Sequence, residues 1–208
     1  MTVRAELRPR GPYSLRESGV HASDASRIVT GGTYRATIRI DGRLERVHAV
    51  QRPDGRLVVA AETDAGIDHV RFVLGLDDDH SEFVRRFAGD PLLAVTLRRI
   101  RGLRPMRTGT VAQSLLRAVA GQLIQASNAR RIEHAIVRSL TPELGGLHAP
   151  PTAQELGALA PARYSRFGLG ARKAGALVRV CRSVNLEGLK RYPTDAVVAR
   201  LVRERGLG

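Results

Sequence analysis

Cysteine occurs once, as Cys181, tryptophan not at all, and lysine only twice, as Lys173 and Lys190. A lone thiol cannot close an internal disulfide, so burial and hydrogen bonding must hold the fold, and a reducing cytoplasm is the compartment that fits. Aromatic residues make up only 4% of the chain, which leaves aliphatic side chains to fill the core. No apolar run approaches the roughly 20 residues that a membrane-spanning helix needs, so no membrane partner is expected. The amino-terminal stretch MTVRAELRPRGPYSL likewise lacks the apolar centre of a secretory signal.

Positive charge is what the sequence has in excess. Its 34 basic and 20 acidic residues leave a formal charge of +14, carried almost wholly by arginine. Such a surface favours polyanions, nucleic acid first. The excess is uneven: residues 1–108 are net +5, whereas residues 109–208 are net +9. The second half is therefore the better candidate for a phosphate-facing surface.

The texture of the chain changes near Pro105, which suggests an α+β part over 1–104 and a helical part over 105–208. TYRATIRI alternates Tyr34, Ala36, Ile38 and Ile40 with polar partners, Asp41-Gly42 marks a turn, and LERVHAVQ and RLVVAAE continue an antiparallel meander. Val70, Val73 and Leu74 mark a helix, and Phe83, Val84 and Phe87 another. From Thr110 the spacing becomes helical, with Val111, Leu115, Val119 and Leu123 on one stripe and NARRIEHAIVRSL repeating the style. Thr152 and Glu155 have capping-box spacing before AQELGALA. Gly168-Leu169-Gly170 then precedes a helix with Ala174, Leu177, Val178 and Cys181 on one face, and Thr194 or Asp195 caps the last helix.

Local motifs for catalysis are absent. Asp77, Asp78 and Asp79 sit directly before a helix, where carboxylates meet its positive end, so capping is preferred to metal binding. The six histidines, His21, His48, His69, His80, His134 and His148, never take the two-on-one-face spacing of a zinc helix. Cys181 reads as a packed core residue. Nothing resembles a serine triad, a phosphate-binding glycine loop or a dinucleotide fingerprint.

Two stretches do carry a resemblance: Gly121-Gln122-Leu123-Ile124 at the end of a helix, and Gly168-Leu169-Gly170-Ala171-Arg172-Lys173-Ala174 before a later one. With LEGLKRYPTDAVVARLVRERGLG, they make the chain similar to the helix-hairpin-helix DNA glycosylases, in the alkylated-base subfamily typified by AlkA. The resemblance implies a TATA-binding-protein-like α+β domain over 1–104, followed by a helical domain over 105–208. It implies a monomer acting in base-excision repair on double-stranded DNA that contains alkylated bases. Gln122 and Leu123 then hold the position of the wedge that enters the stack when a base is flipped. Gly206 and Gly208 correspond to the hairpin whose backbone meets a DNA phosphate, with Ala199 to Arg205 ending its first helix. No cofactor is implied as required, although such hairpins can hold a monovalent cation through their carbonyls.

Against that family the chain stops at the hairpin, so the resemblance implies a C-terminally truncated, incomplete helical domain. The aspartate expected about two dozen residues further on has no counterpart among these residues, and no catalytic residue is assigned. The alternative is a non-catalytic DNA-binding or damage-recognition protein. A third arrangement has the missing helices supplied by a separate polypeptide. Gln125 also departs from the family's serine at the start of the next helix, where Ser127 or Asn128 could cap instead. Missing helices would leave apolar faces exposed.

Overall fold

The alternating strands of the sequence build a sheet with one apolar face. In the computed structural model, residues 2–206 are described. The chain divides into two compact units. The first runs through Arg107 and takes in Leu144–Leu147, and the second consists of Thr108–Glu143 and the residues from His148 on.

In the first unit, β1 (Val3–Leu7), β2 (Arg27–Thr30), β3 (Thr33–Ile40), β4 (Arg43–Gln51) and β5 (Leu57–Ala61) form a five-stranded antiparallel sheet of order β1-β5-β4-β3-β2. One face presents Tyr34, Ala36, Ile38, Val47, Ala49, Leu57 and Val59, all buried. This face packs with Leu15 of α1 (Leu15–Ser18) and with Ile67, Val70 and Val73 of α2 (Asp64–Val73). The meander expected from the sequence is thus present as β3, β4 and β5. The pairing extends on both sides to β1 and β2, whose brevity and charged residues hid their alternation.

One buried carboxylate joins this sheet to its helix. Glu45 on β4 is 3% exposed. Its Oε1 accepts from the Glu62 and Thr63 amides at 2.6 and 2.9 Å, and its Oε2 accepts from the Thr63 hydroxyl at 2.8 Å. Thr63 in turn caps α2 by accepting from the Gly66 amide at 3.1 Å. Gly66 is required for space, because a Cβ there would lie 2.1 Å from Glu45 Oε1.

The acidic run before α3 (Ser81–Arg86) is used differently from the expected cap. Asp77 pairs with Arg71 at 2.7 Å and Asp78 with Arg107 at 2.9 Å, and only Asp79 meets a helix amide, that of Ser81 at 2.9 Å. Two of the three carboxylates are drawn away by guanidinium groups, which offer a stronger partner than an amide. Among the described residues, no group of three His, Cys, Asp or Glu is disposed to hold a metal. Neither α3 nor α4 (Ala94–Arg99) buries any residue.

The second unit is helical, with α5 (Val111–Gly121), α6 (Ala126–Leu140), α7 (Ala153–Ala158), α8 (Ala171–Ser183) and α9 (Thr194–Leu201). A short hairpin of β6 (Glu143–Leu144) and β7 (Leu147–His148) interrupts the series, and a 3-10 turn over Pro161–Phe167 precedes α8. Its core holds Leu116, Val119, Ile132, Ile136, Leu156, Tyr164, Leu177 and Val178. The capping box of Thr152 and Glu155 opens α7 as the spacing indicates. At α9 neither Thr194 nor Asp195 caps: the boundary residue is Pro193, whose side chain cannot accept a hydrogen bond. Among the described residues no helix is long and apolar enough to cross a membrane.

Replacing Glu45 by Ala is expected to lower unfolding free energy by about 1–3 kcal/mol, because buried amides and a hydroxyl lose their acceptor. Gly66→Ala should destabilise in the same sense, and urea denaturation of both variants measures it.

Candidate nucleic-acid interface

Helix α5 ends at Gly121, a residue that weakens a helix interior and lets the backbone leave it. Gln122 turns to φ −59° and ψ 123°, and Leu123 takes φ 55°. Leu123 therefore does not continue the stripe of Val111, Leu115 and Val119, as its spacing suggested. It lies past the helix end and is 102% exposed. A leucine in the left-handed region costs about 1–3 kcal/mol, and leaving its side chain in water forgoes the gain of burial. Both penalties fall on one residue.

The turn is held from α8. Lys173 Nζ donates to the Gln122 carbonyl oxygen at 2.5 Å, a charge-assisted bond at the residue before the strained one. The two stretches singled out in the sequence, Gly121–Ile124 and Gly168–Ala174, thus meet through their own side chain and backbone. The start of α6 is open: Gln125 is its boundary residue and makes no side-chain cap bond. Among the described residues Ser127 and Asn128 make no side-chain hydrogen bond either, so neither replaces the cap. The uncapped first turn, with the exposed Arg130 and Arg131 on the next turn, gives this end of the helix a positive potential.

The same helix supports the other glycine. Gly206 has φ 92°, and a Cβ on it would stand 3.2 Å from Ala176 Cβ. The Arg179 guanidinium donates to the carbonyl of Arg205. Lys173, Ala176 and Arg179 recur every three residues, so they share one side of α8. Lys173 lies within one of the two motifs and Arg179 outside both, and neither contact is signalled by local spacing. Helix α9 ends at Leu201, short of Arg205, and a turn with Glu204 donating to the Leu201 carbonyl at 3.0 Å carries the chain to Gly206. Gly208 lies outside the described residues.

The carboxylates of the helical unit are otherwise engaged. Glu133 is 4% exposed and pairs with Arg117 at 2.8 Å. Glu143 is exposed, 3.6 Å from His148, Glu204 pairs with Arg200 at 2.5 Å, and Glu155 closes the capping box. Glu187 accepts from the Val111 and Ala112 amides at 2.7 and 3.2 Å, and Asp195 is exposed. None is both buried and free to face a developing positive charge. Cys181 is packed on α8, and burial pushes its thiol up to about 12.

No family model matches the sequence, and no curated protein matches it either. Solved structures do. The chain is similar to a 3-methyladenine DNA-glycosylase from Archaeoglobus fulgidus, with a TM-score of 0.83 and 24% identity, covering 99% of this chain and 75% of that one. It is similar to MBOgg1 in complex with a low-affinity DNA ligand, with a TM-score of 0.77, 16% identity, and 99% and 72% of the two chains covered. An 8-oxoguanine glycosylase/lyase from Clostridium acetobutylicum, bound to double-stranded DNA containing cytosine opposite 8-oxoG, gives a TM-score of 0.75 at 17% identity, covering 100% of this chain and 74% of the other. The chain shares its fold with these three structures.

Two outcomes follow from this geometry. Lys173→Met should speed hydrogen exchange in a peptide spanning 122–126 by about 10-fold or more, in line with the loss of a bond to a charged group. Cys181 should react with a thiol reagent at pH 8 at least about 100-fold more slowly in the native protein than in denaturant.

Proposed function

We propose that this chain has the DNA-engaging functions of a base-excision glycosylase of the alkylated-base type. The first unit would serve as the TATA-binding-protein-like domain, and the second as a helix-hairpin-helix domain that reaches the hairpin. The observation that carries the reading is Leu123, a strained and fully exposed leucine held in place from α8.

Extruding a nucleotide from a duplex costs a few kcal/mol, and an apolar side chain that fills the vacated stack offsets part of it. Leu123 would enter the duplex, with Gln122 beside it, while the open first turn of α6 and the backbone at Gly206 meet phosphates. The turn is ordered before DNA arrives, so little conformational entropy is lost on insertion.

Hydrolysis needs more. The sugar becomes cationic as the bond to the base breaks, and a buried carboxylate must stabilise that charge or orient water. The six carboxylates of the helical unit are paired, capping or exposed, so these residues alone supply binding and flipping without efficient cleavage. The same observation favours a second reading, a damage-recognition protein that does not cut.

The purified chain should retain methylated duplex DNA in a gel-shift assay yet release no 3-methyladenine or 7-methylguanine from it. Release that depends on the protein would mean that a carboxylate of this chain acts after all, and failure to bind duplex DNA would overturn both readings.

A further inference from the structure

The face of the sheet turned away from its core carries a row of residues that the reading above leaves unused. Register places Arg35 of β3 directly opposite His48 of β4, His48 opposite Ala60 of β5, and Ala60 opposite Arg4 of β1. One step along, Arg46 stands opposite Thr37. Arg4, Arg35, Arg46 and His48 are all exposed, and none forms an ion pair among the described residues. Glu62 is the one carboxylate on the rim, and it accepts from the Arg46 amide at 3.4 Å, leaving the guanidinium without an acidic partner.

Basic groups stacked across strands without counter-charge weaken a sheet. Elsewhere on this surface arginines are matched: Arg52 with Glu6 at 2.7 Å, Arg56 with Glu6 and Asp54 at 3.4 and 3.5 Å. The unmatched row also faces a walled groove. The Thr37 hydroxyl donates to the Leu144 carbonyl at 2.7 Å, which clips the Gly145-Gly146 turn over the sheet. Gly145, at φ 63°, lies so near the Arg46 stem that a Cβ would come within 2.8 Å of its Cδ. The turn and the strands enclose about 460 Å³, with Arg35, Arg46 and His48 on the wall.

We infer that this groove is a second nucleic-acid contact that binds the phosphodiester backbone. Among the described residues no phenylalanine, tyrosine or tryptophan lines it, so it lacks the large platforms on which successive bases stack, and its cations match phosphate. The ligand class rests on the reading of the chain as a DNA-binding protein, whereas the groove itself owes nothing to Leu123.

The test is the salt dependence of binding to a short undamaged duplex, for the wild type, for R35T/R46T, and for R52T/R56T as a control at matched arginines. Each phosphate contact contributes about 0.9 to the slope of log K against log salt. R35T/R46T should flatten the slope by about two and weaken binding at low salt by at least about 10-fold. Its unfolding midpoint should equal or exceed the wild type's, because a like-charge row has been relieved. The control should change the slope by less than half as much. An unchanged slope in R35T/R46T, or an equal change in the control, overturns the inference while leaving the Leu123 reading intact. Absence of any duplex binding by the wild type overturns both.

Discussion

A single hydrogen bond, from Lys173 to the carbonyl of Gln122, holds the turn that follows α5. Without a partner at that carbonyl, the backbone after α5 has no reason to hold Leu123 in the left-handed region and in water. Leucine is poorly suited to both conditions, and an unconstrained chain would relax by turning the side chain inward. The bond fixes a conformation whose cost makes sense only if something later covers the leucine. In the proposed function that cover is a duplex with a vacated stack, into which an apolar side chain can insert.

Helix α8 is the element on which this depends. Its buried side, with Ala174, Leu177, Val178 and Cys181, ties it into the core of the helical unit. Its other side carries Lys173, Ala176 and Arg179, which meet Gln122, Gly206 and Arg205 in turn. A rigid helix thus sets two turns that are far apart in sequence. The sheet unit is braced in a comparable way by Glu45, which binds the loop that starts α2. In both units a buried or half-buried polar group fixes a loop that hydrophobic packing alone would leave free.

The parts legible in the sequence were those where burial alternates cleanly. Strands β3, β4 and β5 have one face against the core, so their side chains alternate and the meander could be read directly. Strands β1 and β2 hold only five and four residues, too few for the pattern to stand out from neighbouring charge. The Gly145-Gly146 hairpin was hidden because its strands have two residues each, and its place is set by Thr37, more than a hundred positions earlier. Leu123 was the instructive case. Periodicity assigned it to the stripe of Val119, whereas the family resemblance assigned it to a wedge. The helix ends before it, leaving the side chain exposed. Periodicity assumes that the helix continues, and Gly121 stops it. The open start of α6 is signalled by Gln125, a poor cap, whereas local spacing offers Ser127 and Asn128 as substitutes, and among the described residues neither fills the gap.

The proposed function requires Leu123 to enter DNA. Its most direct test is the fluorescence of 2-aminopurine placed in a duplex opposite an abasic analogue, where the signal rises when the base leaves the stack. The wild-type chain should raise the fluorescence on binding, and Leu123→Ala should bind with a much smaller rise. Equal rises at saturation for the two proteins would contradict the claim that this leucine holds the duplex open.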